Sequence, residues 1–210
     1  MAARRFDLHG LAAGQGPSKR HVASVVDVAE EIVVQGPVQA LAAVLARLWR
    51  TERLPVVPVG WEPADDVAST GLARALGLGS GAERELPLVR DDHGGVLLHH
   101  GRVEPAAAPA GRRLVRPLGR RFGAQAHHDA VRVADGPITR IDVRPDWTRV
   151  DTISAAVVTR PLRPVGRTSG RALQVACDPA RVLRDGVAFD REVTRWTWYA
   201  DDRVRWRLRP

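Results

Sequence analysis

From Ala172 to Pro210 the chain reads ALQVACDPARVLRDGVAFDREVTRWTWYADDRVRWRLRP. Leu173, Val175 and Cys177 alternate with polar residues. So do Trp196 and Trp198, and later Val204, Trp206 and Leu208. A period of two puts the apolar residues of a strand on one face, and that face must be covered. The chain must therefore build a sheet against a core wide enough for indole rings. Asp185-Gly186 lies between two such runs and is a tight-turn pair. Trp196 and Trp198 share one face. Interleaved with Arg195 and Arg205, they would suit a half-buried sheet face or a stacking surface for single-stranded nucleic acid.

The first 85 or so residues have a different rhythm. Residues 1 to 16 look irregular, broken by Gly10, Gly14, Gly16 and Pro17. Ser18 is placed to cap a helix reaching about Ala29, with Val22, Val25 and Val26 on one stripe. Ile32-Val33-Val34 reads as a short buried strand. Pro37 suits the first position of the next helix, where Val38, Leu41, Leu45 and Leu48 repeat at helical spacing. Pro55 to Val59 is the next strand, with Pro58 marking its end. Ser69 or Thr70 would cap a short helix over Leu72 to Leu76, stopped by Gly77. Alternating strands and helices predict a parallel sheet. Beyond Glu85 the chain turns to β: Val96 to Leu98, a hairpin turned at Asp135-Gly136, Thr152 to Thr159, and Leu173 to Cys177. Residues 104 to 111 form a Pro/Ala-rich connector. The expected fold class is α+β, with a small α/β domain over residues 1–85 and a β-sandwich-like domain over 86–210.

Charge narrows the partners. The formal net charge is +8, and Lys19 is the only lysine among 32 basic residues. The arginines are spread along the chain, with one group at Arg112, Arg113, Arg116, Arg120 and Arg121. Abundant Ala, Gly, Pro and Arg is what a GC-rich genome produces. The same excess suits anionic partners: a small anion, phospholipid or nucleic acid. No apolar run approaches the ~20 residues of a membrane span. Residues 1 to 16 lack the apolar stretch of a secretory signal. The single cysteine, Cys177, fits a reducing, cytoplasmic setting, with peripheral membrane association left open. His99-His100 and His127-His128, with His93 and Asp91-Asp92, could supply imidazole and carboxylate ligands to a metal. Adjacent strand residues face opposite ways, however, and no HExxH or CxxC motif is present.

Several landmarks resemble the diacylglycerol kinase family of lipid kinases, in the order that family uses. Ile32-Val33-Val34-Gln35-Gly36-Pro37-Val38 stands where the family has a glycine-rich GGDGT loop between strand and helix. Val56-Val57-Pro58-Val59-Gly60 resembles its PxG strand, Leu72-Ala73-Arg74-Ala75-Leu76-Gly77-Leu78 its FARALGL helix, and Leu86 to Leu98 its entry into the β domain. The tail resembles the strand pair that carries a DGE turn. The resemblance covers roughly half the chain, mainly residues 30 to 98 and 170 to 210. It implies the NAD-kinase-like architecture, a nucleotide cleft bordered by Gly36 and Gly60, and Asp185 as the base in phosphoryl transfer. It also implies ATP and magnesium as cofactors if the chain is active, with Asp91 or Asp92 helping to hold the metal.

The departures from that pattern bear on activity. Gln35-Gly36-Pro37 lacks the loop's other glycines and its Asp, and Pro37 removes an N–H donor. The DGE turn reads Asp185-Gly186-Val187. No first-strand NPxxG-like motif is visible, and the chain is short for the family. The sequence therefore suggests a diverged member without normal kinase activity that binds an anionic ligand or a protein partner in the old cleft. An active lipid kinase and a basic module for nucleic acid or acidic membrane remain as alternatives.

Overall fold

The computed structural model describes residues 3–106, 120–160 and 163–209. Arg112, Arg113 and Arg116, and most of the Pro/Ala connector, lie outside them. The opening residues are not irregular throughout. Arg4–Asp7 form β1, whose only buried residue, Phe6, faces the core. Helix α1 (Lys19–Val26) follows, and the Ser18 hydroxyl caps it by accepting from the His21 amide at 3.2 Å. Next come β2 (Ile32–Gly36) and helix α2 (Val38–Arg50), which buries eight residues from Val38 to Leu48. Pro37 precedes that helix rather than opening it, with an extended backbone at φ −74° and ψ 169°.

Strand β3 (Val59–Pro63) begins after Pro58 instead of ending there. Pro58 has no N–H to give a ladder, and its carbonyl instead accepts the Ile32 amide at 3.2 Å. Helix α3 (Val67–Leu76) starts earlier than Ser69 or Thr70 would allow, because Asp66 is the cap. The Asp66 carboxylate accepts from the Ser69 amide at 2.9 Å and the Ser69 hydroxyl at 2.6 Å. Gly77, at φ +69°, stops the helix as expected. Strands β1, β2 and β3 run parallel, with Arg4 opposite Ile32 and Ile32 opposite Val59.

The remaining strands are mostly antiparallel. They are β4 (Arg84–Asp91), β5 (Gly101–Pro105), β6 (Phe122–His128), β7 (Val131–Ile138), β8 (Arg140–Pro145), β9 (Ile153–Arg160), β10 (Arg163–Gly170), β11 (Ala172–Arg184), β12 (Val187–Ala188) and β13 (Val193–Arg209). Val96 to Leu98 is buried but forms no strand beyond a single bridge from Val96 to Arg90. The hairpin expected at Asp135-Gly136 turns elsewhere. Asp135 and Gly136 lie inside β7, with Gly136 at φ +117°, and the β6–β7 connection is Asp129-Ala130. The Asp185-Gly186 turn is as expected. Both residues have positive φ, +47° and +85°, as a two-residue type I′ hairpin requires.

One strand joins everything. Along one edge β13 pairs antiparallel with β4, from Trp198 opposite Asp91 to Leu208 opposite Arg84. Along the other it pairs first with β11, then runs parallel to β3 with Leu208 opposite Val59. The parallel and antiparallel strands are therefore joined in one continuous hydrogen-bonded network. A register shift between Asp201 and Arg205 lets β13 serve two cores. Trp196 and Trp198 fill the core among β5–β9, β11 and β13, while Trp206 and Leu208 fill the core beneath α1–α3. The three indoles are at most 1% exposed, which removes Trp196 and Trp198 as a stacking surface for bases. The fold is α+β with a large mixed sheet. Among the described residues no helix is long and apolar enough to cross a membrane.

Because both cores share β13, chemical unfolding followed by tryptophan fluorescence and by far-UV circular dichroism should give one coincident transition. Trp206→Ala empties the first core and frees the Pro87 carbonyl that the indole N–H holds at 3.2 Å. It should lower the unfolding free energy by about 3–5 kcal/mol without splitting that transition.

Candidate functional site

In a parallel sheet the carboxyl ends of the strands and the amino ends of the following helices open onto one side, where anions are readily held. Here that side is formed by the loop after β1, the β2–α2 junction at Gly36-Pro37, and the start of α3 at Asp66. No side chain caps α2. The opposite wall comes from the β-rich half: residues 98–100, the Asp185-Gly186 turn, and β8.

Loop 8–17 bridges the two walls. At one end its backbone passes over Gly36: a Cβ added there would lie 2.9 Å from the Leu8 carbonyl carbon and oxygen, and Gly36 has φ +140°. Only glycine satisfies both demands. At the other end a Cβ added to Gly14 would lie 3.8 Å from the Gly186 carbonyl oxygen, and one added to Gly16 would lie 3.7 Å from the Val187 side chain. Gly36 and Asp185 thus border the same loop. The Gly36 carbonyl is already used, accepting from the Trp61 indole and the Ala64 amide at 3.0 Å each. The Gln35 side chain donates to Glu62 and so points along the sheet. Gly60 is elsewhere: it lies inside β3, between Val33 and Arg209, and a Cβ there would come within 3.2 Å of Val33.

Asp185 clamps the far wall. Its carboxylate accepts three backbone amides, from Leu98 at 2.9 Å, His99 at 2.8 Å and His100 at 2.9 Å. Its own amide donates to the His100 carbonyl at 2.9 Å. The Trp147 indole adds a bond to the Leu98 carbonyl at 3.1 Å. Desolvation pushes the Asp185 carboxyl above the usual carboxylate range, against the pull of the three amides. The clamp explains why Val96 to Leu98 is not a strand: its last amide is taken by a side chain.

Beyond the clamp lies a cluster of charge that sequence reading did not assemble. Asp142 on β8 receives His100 Nε2 at 3.1 Å, Arg102 at 2.8 Å and Arg140 at 2.7 Å. Burial alone would raise its carboxyl, but these three donors hold it far below the ordinary range. His99 is half-buried. Desolvation, then the charges of Arg144 and His100, lower its pKa, while Asp66 across the crevice works the other way. At neutral pH the His99 ring is therefore uncharged, near the exposed guanidinium of Arg144. The signal available in sequence was the Arg140-Asp142-Arg144 alternation, which a strand places on one face.

The other candidates are dispersed. Asp91 is buried and committed to Arg184 at 3.0 Å and to the amides of His93 and Gly95. His93 stacks on Trp196 and Phe189. His128 is buried with its Nδ1 at 2.7 Å from the Thr168 hydroxyl, and His127 is exposed. Among the described residues no three His, Cys, Asp or Glu side chains come together as metal ligands. Magnesium takes carboxylate oxygens. Those of Asp66, Asp91, Asp142 and Asp185 already accept hydrogen bonds within the protein, and Asp92, the other carboxylate expected to hold the ion, has His93 Nε2 at 3.7 Å. Two open cavities, of about 430 and 840 Å³, lie away from the crevice, around Arg4, Glu31 and Arg209 and around Trp49, Arg90 and Tyr199.

No protein-family model matches the chain, and no curated protein matches it in sequence. Solved structures do match. A diacylglycerol kinase from Bacillus anthracis str. Sterne aligns with a TM-score of 0.62 at 10% identity, over 85% of this chain and 78% of that one. A further structure described as a diacylglycerol kinase from the same organism aligns at 0.63 and 11% identity, over 90% and 80%. An NAD kinase from Archaeoglobus fulgidus, in complex with ATP, aligns at 0.56 and 14% identity, over 93% and 81%. The chain has the fold that diacylglycerol kinases share with NAD kinase.

Proposed function

We propose that this chain is a diverged, diacylglycerol-kinase-like protein that does not transfer phosphate and instead holds an anionic ligand in the crevice between its two halves. The observation that carries this reading is the Asp185 clamp. A carboxylate serving as general base needs a free oxygen within reach of the substrate hydroxyl. Asp185 instead takes three amides of residues 98–100 and holds that wall in place. The loss of glycines and of a carboxylate at Gln35-Gly36-Pro37 supports the same reading, as does Val187 beside the turn.

The crevice keeps features that favour anions. The uncapped start of α2 directs its dipole there, and His99 and Arg144 stand opposite. The functional division follows the two walls, with residues up to about 85 supplying one and the β-rich remainder the other. The rival reading is an active ATP-dependent lipid kinase, motivated by the fold it shares with an ATP-bound NAD kinase.

Incubation with ATP, magnesium and diacylglycerol vesicles should leave the lipid unphosphorylated by thin-layer chromatography. Phosphorylated lipid that vanishes in Asp185→Asn would establish the rival. Asp185→Ala should cost about 2–3 kcal/mol in denaturant unfolding, because three part-buried amides lose their acceptor. A dispensable base would cost almost nothing.

Anion binding should also depend on pH. The His99 pKa is depressed in the free protein, so a bound anion favours the imidazolium and binding takes up a proton. Affinity for sulfate, which keeps its charge across this range, should rise as pH falls from about 8 to about 6, through the ordinary histidine pKa of about 6.5. His99→Asn should flatten the profile, measured by calorimetry, and Arg144→Ala should weaken binding at every pH.

A further inference from the structure

The larger of the two open cavities, about 840 Å³, falls within the roughly 300–1,000 Å³ of sites for small organic ligands. It lies on the side of the sheet opposite Trp196 and Trp198, which point into the second core. Ala172 of β11, Tyr199 of β13 and Arg90 of β4 stand opposite one another in one row across its floor. Gln174 opposite Thr197 makes the row beside it. Trp49, near the end of α2, forms part of one wall. The turn from Asp202 to Val204, where the register of β13 shifts, forms part of another.

Arg90 is braced from three directions. Its guanidinium carbon lies 4.6 Å from the centre of the Trp49 ring and 4.1 Å from that of Tyr199. Its Nε donates to the Asp201 carboxylate at 2.7 Å. Two rings and a carboxylate set the orientation of the planar group. Among the described residues its two terminal nitrogens have no acceptor. The acceptors around the cavity are engaged elsewhere. The Asp201 carboxylate also receives the amides of Arg203 and Val204, and the Asp129 carboxylate those of Arg171 and Ala172. Asp202 pairs with Arg171 at 2.7 Å. Arg203 is exposed and, among the described residues, has no acidic partner. The cavity therefore has donors to spare: a braced, two-pronged guanidinium end and one further cation.

We propose that this cavity binds a small organic carboxylate, with its two oxygens on the terminal nitrogens of Arg90 and its body against the floor of the sheet. The planar fork of an arginine matches the two oxygens of a carboxylate. Arg90 and Arg171 are each offset by an aspartate, so the surplus positive charge is that of Arg203. One surplus charge suits a monoanion. A phosphate monoester carries nearly two negative charges near neutral pH and calls for more uncommitted cations than these walls offer. The cavity is separate from the crevice, and the proposal does not rest on what the crevice holds.

Calorimetric titration of the full chain with benzoate tests the proposal. Benzoate should bind, whereas benzyl alcohol, of similar size and uncharged, should not. Inorganic phosphate should not displace it. Arg90→Lys keeps the charge but loses the fork, and should weaken benzoate about tenfold or more, the worth of one charge-assisted hydrogen bond. Because Arg90 also braces Asp201, a second variant leaves that contact intact. Gln174→Trp raises an indole from the exposed floor and should abolish benzoate binding, with melting temperature and sulfate affinity unchanged. Arg144→Ala, in the crevice, should bind benzoate as the unsubstituted chain does. No benzoate binding below about 10 mM would overturn the proposal. So would equal binding of benzyl alcohol, displacement by phosphate, full affinity in Gln174→Trp, or loss of affinity in Arg144→Ala.

Discussion

The structure depends on β13 being one strand with two neighbours on one of its edges. Its first half lies beside β11, its end beside β3, and β4 runs along the other edge from Trp198 to Leu208. A backbone can donate and accept on only two sides, so this one strand ties the two halves together. The shift at Asp201 makes it workable. The Asp201 carboxylate accepts the amides of Arg203 and Val204 where the ladder is interrupted, and pairs with Arg90 at 2.7 Å. Trp196 and Trp198 are thereby delivered to one core and Trp206 to the other.

The crevice inherits its shape from that seam. Loop 8–17 lies close to Gly36 at one end and to the Asp185-Gly186 turn at the other. On the α/β side the glycine at position 36 serves close approach by the Leu8 backbone. On the β side the carboxylate at position 185 serves as an anchor for three amides. On the same side Asp142 holds His100, Arg102 and Arg140 in order. The turn that resembles a catalytic one also anchors its neighbours, because its carboxylate points at the amides of residues 98–100.

Local pattern made much of this legible. Ser18 and Gly77 end helices as their types demand, Ile32 to Val34 is buried as a short apolar run should be, and Asp185-Gly186 turns as the pair dictates. The misreadings have local causes too. Asp66 outcompeted Ser69 as a cap because a carboxylate can accept both the Ser69 amide and its hydroxyl. Asp135-Gly136 carries a turn signal, but the strand simply absorbs Gly136 at φ +117°. Strand β1 was invisible because a four-residue edge strand with one buried side chain has too little pattern to detect.

By itself the sequence determined the element types, the two-part rhythm and the kinship of fold. Apolar periodicity, caps and turn residues act over a few neighbours, and those neighbours are written in order. Tertiary structure alone decided that Trp196 and Trp198 are sealed in a core, that Asp185 binds backbone, and that His99 meets Arg144 and Asp66. Each of these follows from which strand lies beside which, and pairing between residues as distant as Leu98 and Asp185 leaves no local trace in the chain.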